Sequence, residues 1–234
     1  MRASIRVAAL FAVGLASGNL PASETRQTRA EQPPAVSDTP APAQLARAAE
    51  AAAPPAGPPK TEISIFGFEG SLEGWQIPDW ASSSQDYVGQ GLQISDSQAS
   101  EGRFSMTLQA DFPGDRWTGV YVEREIEVAD WSPFGQLSLD LYVPPEAPEG
   151  LLGRIILTVG EEWVWTEMNH GIPLAPGRWT AITVNLKPGS MDWKFFPDDA
   201  FRRRVRKLGV RIESGQHGPA YRGPVYVDRI RLSE

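Results

Sequence analysis

The sequence predicts an all-β protein, an antiparallel β-sandwich of the jelly-roll type, on three observations. After residue 61, apolar and polar residues alternate with a period of two through roughly eleven short segments. Clusters of Gly, Pro, Asp and Ser separate these segments, and none of them holds a helical period for long. An isolated open sheet with so many strands would leave an apolar face in water, so two packed sheets are expected.

The first residues have the order of a secretory signal. Arg2 and Arg6 precede an apolar run from Val7 to Leu15, and small residues follow the run. The run is much shorter than the ~20 residues that a membrane span needs, so no stable span is expected. Residues 1–23 are therefore predicted to be a signal peptide of a secreted protein, periplasmic or extracellular, with an uncleaved N-terminal anchor as the alternative.

Residues 24–60 are rich in proline and alanine and contain no aromatic residue. Such a segment cannot bury enough apolar surface to offset the entropy lost on ordering. Pro-Pro pairs favour extended polyproline geometry. We expect a disordered linker that acts as a semi-rigid spacer, followed by one folded domain at residues 61–234.

Composition excludes several classes of function. The net charge of −7 disfavours nucleic acid as a partner, because binding to phosphates needs positive charge. The absence of cysteine excludes disulfides, thiolate nucleophiles and thiolate zinc sites. The two histidines, His170 and His217, cannot form a zinc site alone, so only metals with oxygen ligands remain.

The segment from Gly160 to Gly171, GEEWVWTEMNHG, raises the main functional question, because Trp163 and Trp165 stand one residue apart. In a strand they would share one face and Val164 would take the other. Alternation elsewhere places leucine, isoleucine and valine inward, which makes Val164 the core residue. The alternative is that both indoles fill the core and Val164 is exposed.

The outward positions of the neighbouring segments repeat one chemistry, namely aromatic, carboxylate and guanidinium groups. We predict that they share one sheet face with the two indoles, which would suit a sugar, because aromatic rings stack on pyranose C–H groups and polar groups pair with hydroxyls. The predicted ligand-binding residues are Trp163, Trp165, Tyr121, Tyr142, Trp117, Glu123, Asp140, Arg154 and Arg211.

Four motifs occur in order along the folded domain: FGFEGSLEGW from residue 66, ASEGRFSMTLQA from 99, APGRWTAITVNL from 175 and GPVYVDRIRL from 223. Together they resemble secreted jelly-roll carbohydrate-binding modules, the galactose-binding-like sandwiches that accompany polysaccharide hydrolases. The resemblance covers residues 63–232 and implies binding of a polysaccharide or oligosaccharide.

The same resemblance implies a structural calcium ion that joins the first strand to the last. Glu69 and Asp228 match the acidic positions, and carbonyl oxygens near residues 101–103 would complete the ligands. The alternative is that the two carboxylates cap turns or pair with Arg229 or Arg103.

The sequence thus favours a secreted, non-catalytic carbohydrate-binding protein. A glycoside hydrolase or lyase of the same fold is one alternative, although the E-x-D-x-x-E arrangement of laminarinase-like sandwiches is missing. A structural envelope or matrix protein that binds another protein is the other. The particular glycan and the oligomeric state stay open.

Overall fold

Two antiparallel sheets pack face to face in the computed structural model, which describes residues 61–234 apart from the side chains of residues 127–129. This confirms the predicted β-sandwich. The predicted signal peptide and linker lie outside the described residues. No helix within the described part is long and apolar enough to cross a membrane.

Sheet A has six strands, in the order β2-β3-β11-β5-β9 with β1 beside β11. Its strands are β1 (Glu62–Phe66), β2 (Gly89–Ser95), β3 (Ser105–Pro113), β5 (Gln136–Tyr142), β9 (Trp179–Asn185) and β11 (Ala220–Ser233).

Sheet B has five strands, in the order β4-β10-β6-β7 with the short β8 beside β6. Its strands are β4 (Gly119–Ala129), β6 (Leu151–Val159), β7 (Val164–Glu167), β8 (Ile172–Pro173) and β10 (Val205–Ser214).

The core lies between the two sheets and is built from the alternating apolar residues that the sequence assigns to it. Their burial removes large aliphatic surfaces from water, which is the main stabilising contribution to such a fold. The fully or almost fully buried members include Val120, Val122, Leu137, Leu139, Leu141, Ile155, Leu157, Val159, Leu208, Val210 and Ile212.

Two short helices interrupt the strands. Helix α2 (Asp199–Arg203) is capped by the Asp198 side chain, which accepts a hydrogen bond from the Phe201 N–H at 2.7 Å. Helix α1 (Asp79–Ser82) follows Pro78 and is not predicted by the apolar alternation.

Both edges of sheet B are covered by connecting segments. On the β4 edge, Gln76 pairs with Glu123 and the Val88 N–H donates to the Gly119 carbonyl at 3.0 Å, so α1 between them lies against this edge. On the β7 edge, Met168 pairs with Trp193. The outer face of sheet B, which points away from sheet A, is therefore bordered on two sides.

Candidate functional site

The outer face of sheet B carries the side chains that alternate with the core residues. Register between the strands places Tyr121 of β4 beside Arg211 of β10, and Arg211 beside Arg154 of β6. Two residues along β4, Glu123 lies opposite Gly209 of β10. Aromatic, carboxylate and guanidinium groups thus meet on one face, as the alternation predicts for these four functional side chains.

Gly209 creates the space for the central ring of this face. A Cβ atom at this position would lie 2.4 Å from the Tyr121 hydroxyl oxygen and 2.6 Å from its ring, far inside normal contact. Because Gly209 has no side chain, the Tyr121 ring lies across β10 and packs with Ile156 and Ala81 in a small buried cluster. The face therefore has a fixed apolar floor.

Two exposed indoles stand above this floor and form an aromatic triad with Tyr121. The ring centroid of Trp80 lies 5.0 Å from that of Tyr121 and 5.6 Å from that of Trp165, and the Tyr121 and Trp165 centroids are 5.4 Å apart. Trp80 is 54% exposed and Trp165 is 41% exposed, whereas Tyr121 is buried. The triad thus presents apolar ring surface to solvent on a rigid support.

Helix α1 brings Trp80 to the triad. Pro78 precedes the helix in extended geometry, and the Ala81 N–H donates to the Pro78 carbonyl at 3.0 Å. Ala81 is buried against Tyr121, so its neighbour Trp80 projects outward. Sequence reasoning missed Trp80, although Pro78 and Asp79 before an aromatic residue are a helix-start signal that would have found it.

Strand β7 confirms the predicted orientation of Trp165. Val164 packs against the core, and Trp165 points to the opposite face. Trp163, however, does not lie on the strand, because β7 begins at Val164 and Trp163 has a positive φ of 55° in the preceding turn. Its exposed ring stacks under the Arg206 guanidinium at 4.8 Å instead of joining the triad.

Trp117 also lies outside a strand, since β4 begins at Gly119. Its ring nevertheless belongs to the face, because the Arg211 guanidinium lies 5.6 Å from the ring centroid. Arg211 is therefore held between Trp117 on one side and the charged residues of the sheet on the other.

The prediction that Tyr142 and Asp140 share this face is wrong. Both residues belong to β5 of sheet A, where Tyr142 pairs with Tyr226 and Trp179, and Asp140 pairs with Asp228. Alternation correctly identifies them as outward residues, but it cannot tell which of two sheets a strand joins. They lie on the opposite outer side of the sandwich.

An ion-pair network crosses the face between the strands. Arg154 binds Glu213 at 2.8 Å, and Arg211 binds both Glu213 and Glu167 at 2.7 Å. Lys194 binds Glu167 as well. These contacts fix the two guanidinium groups in position, because each arginine is held by more than one acceptor.

A second group of polar contacts surrounds Glu123. Its two oxygens accept from the Lys207 ammonium at 2.6 Å and from the Tyr121 hydroxyl at 3.0 Å. Burial and the nearby Glu123 carboxylate raise the pKa of Tyr121, so its hydroxyl stays protonated and remains a donor. Lys207 is a site residue that the sequence analysis did not identify as part of the face.

All six oxygens of the buried carboxylates Glu123, Glu167 and Glu213 therefore have a cationic or hydroxyl partner. Burial raises the pKa of Glu167, but the charges of Arg211 and Lys194 outweigh it and place the pKa below its ordinary value. A general acid for glycoside cleavage needs the opposite shift.

Glu69 and Asp228 both contact the segment Ser100–Phe104, beside sheet A. The Asp228 carboxylate accepts hydrogen bonds from the amides of Ser100 and Glu101 at 2.7 and 3.1 Å, and Glu69 accepts from the Arg103 amide at 2.9 Å. These partners are N–H donors, whereas calcium needs oxygen ligands.

No group of three or more acidic or histidine side chains able to hold a metal occurs between residues 61 and 234. The predicted calcium site has two carboxylates and backbone carbonyl oxygens, which is fewer acidic side chains than such a group needs, so this absence does not decide the prediction. Calcium stays a prediction from the resemblance, and the hydrogen bonds of Glu69 and Asp228 offer a metal-free way to join the two ends of the domain.

The chain is similar to known proteins in its fold. It has the jelly-roll β-sandwich fold of carbohydrate-binding modules. No protein-family model matches the chain, and no curated protein sequence matches it.

Three solved structures illustrate the similarity of fold. A carbohydrate-binding module of family 28 that is specific for non-crystalline cellulose has a TM-score of 0.53 and 15% identity, over 75% of this chain and 97% of that one. The family 27 module of Caldicellulosiruptor saccharolyticus in complex with mannohexaose has a TM-score of 0.51 and 16% identity, over 74% and 96%.

A module of the β-sandwich superfamily with promiscuous specificity has a TM-score of 0.50 and 16% identity, over 73% of this chain and 62% of that one. At these identities the comparisons establish the fold, and the function must be argued from the site.

Proposed function

We propose that this protein is a secreted, non-catalytic polysaccharide-binding protein whose site is the outer face of sheet B. The observation that carries the proposal is the exposure of two indoles, Trp80 and Trp165, that contact each other above a buried floor. Exposed aromatic surface on a fixed support costs solvation free energy, so it indicates a binding role.

The chemistry of the face suits a neutral or mildly acidic sugar polymer. The indoles offer flat apolar surfaces for the C–H groups of a pyranose ring. Beside them, Arg211 and Lys207 are partly exposed and are fixed by ion pairs with Glu213 and Glu123, so we expect them to donate to hydroxyl oxygens from fixed positions. Water competes well for hydroxyls, and we therefore expect micromolar to millimolar affinity.

The saturation of the carboxylates supports binding without cleavage. A glycosidase needs two carboxyl groups, one of which carries a proton at working pH. On this face, Glu123, Glu167 and Glu213 each form an ion pair with a cation, and the charges of Arg211 and Lys194 lower the pKa of Glu167. This arrangement holds the arginine and lysine donors in place and engages all three carboxylates in ion pairs.

The export part of the proposal rests on the sequence. The charged start and short apolar run of residues 1–23 would direct secretion, and residues 24–60 would hold the binding domain away from its point of attachment or cleavage. One module of similar fold is in complex with mannohexaose, and another is specific for non-crystalline cellulose. Mannans and soluble cellulose derivatives are therefore the first probes.

The test is native gel electrophoresis in gels that contain soluble β-mannan or hydroxyethylcellulose. The wild-type protein should be retarded by at least one polymer, and Trp165→Ala should weaken binding about tenfold or more, because each 1.4 kcal/mol is a factor of ten. Thermal unfolding should show that the variant is still folded. Ile63→Ala, which removes an exposed residue of β1, is the control.

Trp163→Ala should have a smaller effect than Trp165→Ala, because Arg206 already covers one face of the Trp163 ring. Absence of retardation for the wild-type protein, or equal retardation of wild type and Trp165→Ala, would contradict the proposal.

A further inference from the structure

The exposed apolar residues of the domain are not scattered. Between residues 61 and 234, seven large apolar side chains are exposed, and one of them, Ile63, lies on β1 of sheet A. The other six gather along the β7 edge of sheet B or contact the triad there: Trp80, Trp163, Trp165, Met191, Phe195 and Phe196. The triad uses two of them, so the clustering of the remainder needs its own explanation.

Hydrogen bonds fix the segment Ser190–Phe196, which we call the edge segment, beside β7. The Lys194 N–H donates to the Glu167 carbonyl at 3.0 Å, and the Phe195 N–H donates to the Thr166 hydroxyl at 3.1 Å. Together with the pairing of Met168 and Trp193, these contacts make the edge segment run antiparallel to β7. It therefore extends sheet B by part of one more strand.

The edge segment is anchored firmly by Trp193. This indole is fully buried, packs against Phe201 at a centroid distance of 5.7 Å, and donates its Nε1–H to the Asn185 carbonyl at 2.9 Å. The Gly189 N–H closes the base of the loop by donating to the Pro197 carbonyl at 2.8 Å. The two phenylalanines are thus exposed on a fixed support, as the triad indoles are.

The outer face of sheet B continues onto the edge segment as far as Lys194. Lys194 forms an ion pair with Glu167, so both side chains lie on the outer face. The chain bends at Lys194 and Phe195, so the period of two does not carry on to Phe196. Phe196 is exposed and directly follows this bend, beside strand β7, which carries Trp165.

We propose that the edge segment is a second contact surface for the same polysaccharide, with Phe196 as its stacking residue. The site would then take an extended chain that crosses β7, and it would favour long oligosaccharides over short ones. This inference rests on the proposed function.

Continuity with the triad favours the polysaccharide over another occupant, because a glycan chain lying on Trp165 and leaving over β7 passes over the edge segment that carries Phe196. The Lys194 and Glu167 pair, where the edge segment meets β7, also matches a ligand that alternates apolar ring faces with hydroxyls.

The experiment compares hexasaccharide and trisaccharide affinities by calorimetry or NMR titration, using mannohexaose with mannotriose and cellohexaose with cellotriose. The wild-type protein should bind the preferred hexasaccharide more tightly than its trisaccharide. Phe196→Ala should weaken hexasaccharide binding about three- to tenfold, as expected for the loss of one stacked ring, and should leave trisaccharide binding unchanged. Phe196→Tyr, which keeps a ring, should retain wild-type affinity.

The controls separate the failure of this inference from the failure of the proposed function. Trp165→Ala should weaken binding of both lengths, and Ile63→Ala should weaken neither. If Phe196→Ala binds the hexasaccharide as wild type does while Trp165→Ala does not, the inference is wrong and the proposed function stands. If Phe196→Ala changes only self-association or binding to phospholipid vesicles, another occupant replaces the polysaccharide. If the wild-type protein binds no saccharide, both fail.

Discussion

The two outer faces of the sandwich carry similar aromatic groups in different settings. On sheet B, Trp80, Tyr121 and Trp165 lie with ring centroids 5.0 to 5.6 Å apart. On sheet A, the Tyr142 centroid lies 5.4 Å from that of Trp179 and 5.8 Å from that of Tyr226. Ring distances therefore do not distinguish the faces, and a list of aromatic residues would describe them alike.

Exposure does distinguish them. Tyr142 and Tyr226 are each 7% exposed, whereas both indoles of the triad are exposed by more than 40%. On sheet A the rings lie on neighbouring strands and cover one another, so they act as packing. On sheet B one indole stands on helix α1 and the other on the edge strand β7, above a floor that Tyr121 fills. Whether an aromatic ring can stack on a ligand therefore depends on how the neighbouring elements support and expose the ring.

The largest effect on stability is expected from a substitution on sheet A. Tyr142→Ala should lower the free energy of unfolding by about 3 to 5 kcal/mol, as for a buried aromatic ring, and should leave polysaccharide retention of the folded protein unchanged. Urea denaturation and gel retardation measure the two effects. A stable Tyr142→Ala variant that no longer binds would move the site to sheet A.

The two faces also differ in how well the sequence predicts their residues. Alternation correctly predicts the sandwich, the core residues and the outward direction of Tyr121 and Trp165, because side-chain direction in a strand is a local property. It fails for Tyr142 and Asp140, because the pairing of strands into two sheets depends on contacts that are distant in sequence.

The strand position predicted for Trp163 is wrong, and Trp80 was missed, for a different reason. Trp163 lies in a turn with positive φ, where the period of two does not apply, and Trp80 stands on a single helical turn whose position depends on packing against Tyr121. Short turns and helices between strands therefore carry the part of the site that alternation cannot describe.

A smaller effect on stability is expected from Gly209→Ala, which would disturb the Tyr121 ring under the two exposed indoles. The new Cβ would displace the Tyr121 ring, so the substitution should cost about 1 to 3 kcal/mol in stability and should also weaken polysaccharide binding. Gly223→Ala is a matched control, since its Cβ would lie 2.5 Å from the Tyr221 hydroxyl, away from the triad. Equal loss of binding in both variants would contradict a special role for the floor.

The ion-pair network of sheet B should give a pH-dependent contribution of about 1 kcal/mol from Glu167. Its pKa is lowered on folding, so ionised Glu167 stabilises the native state above its ordinary pKa of 4.5, and this contribution is lost as the pH falls through the lowered value. The stability difference between wild type and Glu167→Gln should therefore be largest near neutral pH and should vanish in acid.

Urea denaturation at several pH values measures this difference. Glu149→Gln, at an exposed position, is the control and should differ little from wild type at any pH. A constant difference between wild type and Glu167→Gln over the whole range would show that the network does not depend on the charge of Glu167.

The smallest effect is expected beside sheet A, where Glu69 and Asp228 bind backbone amides. A chelator should leave the melting temperature unchanged, because the carboxylates already have donor partners that need no ion. A fall in melting temperature that added calcium reverses would instead support the calcium ion that the resemblance implies, since an ion bound only by the native state stabilises it.

The most direct test of the central claim is a titration followed through the indole N–H signals of the eight tryptophans, with mannohexaose and, separately, cellohexaose. We expect at least one saccharide to shift the signals of Trp80 and Trp165, while those of Trp179 on sheet A and the buried Trp193 stay in place. Shifts at Trp179 without shifts at Trp80 and Trp165, or no shifts with either saccharide, would contradict the claim that the outer face of sheet B binds polysaccharide.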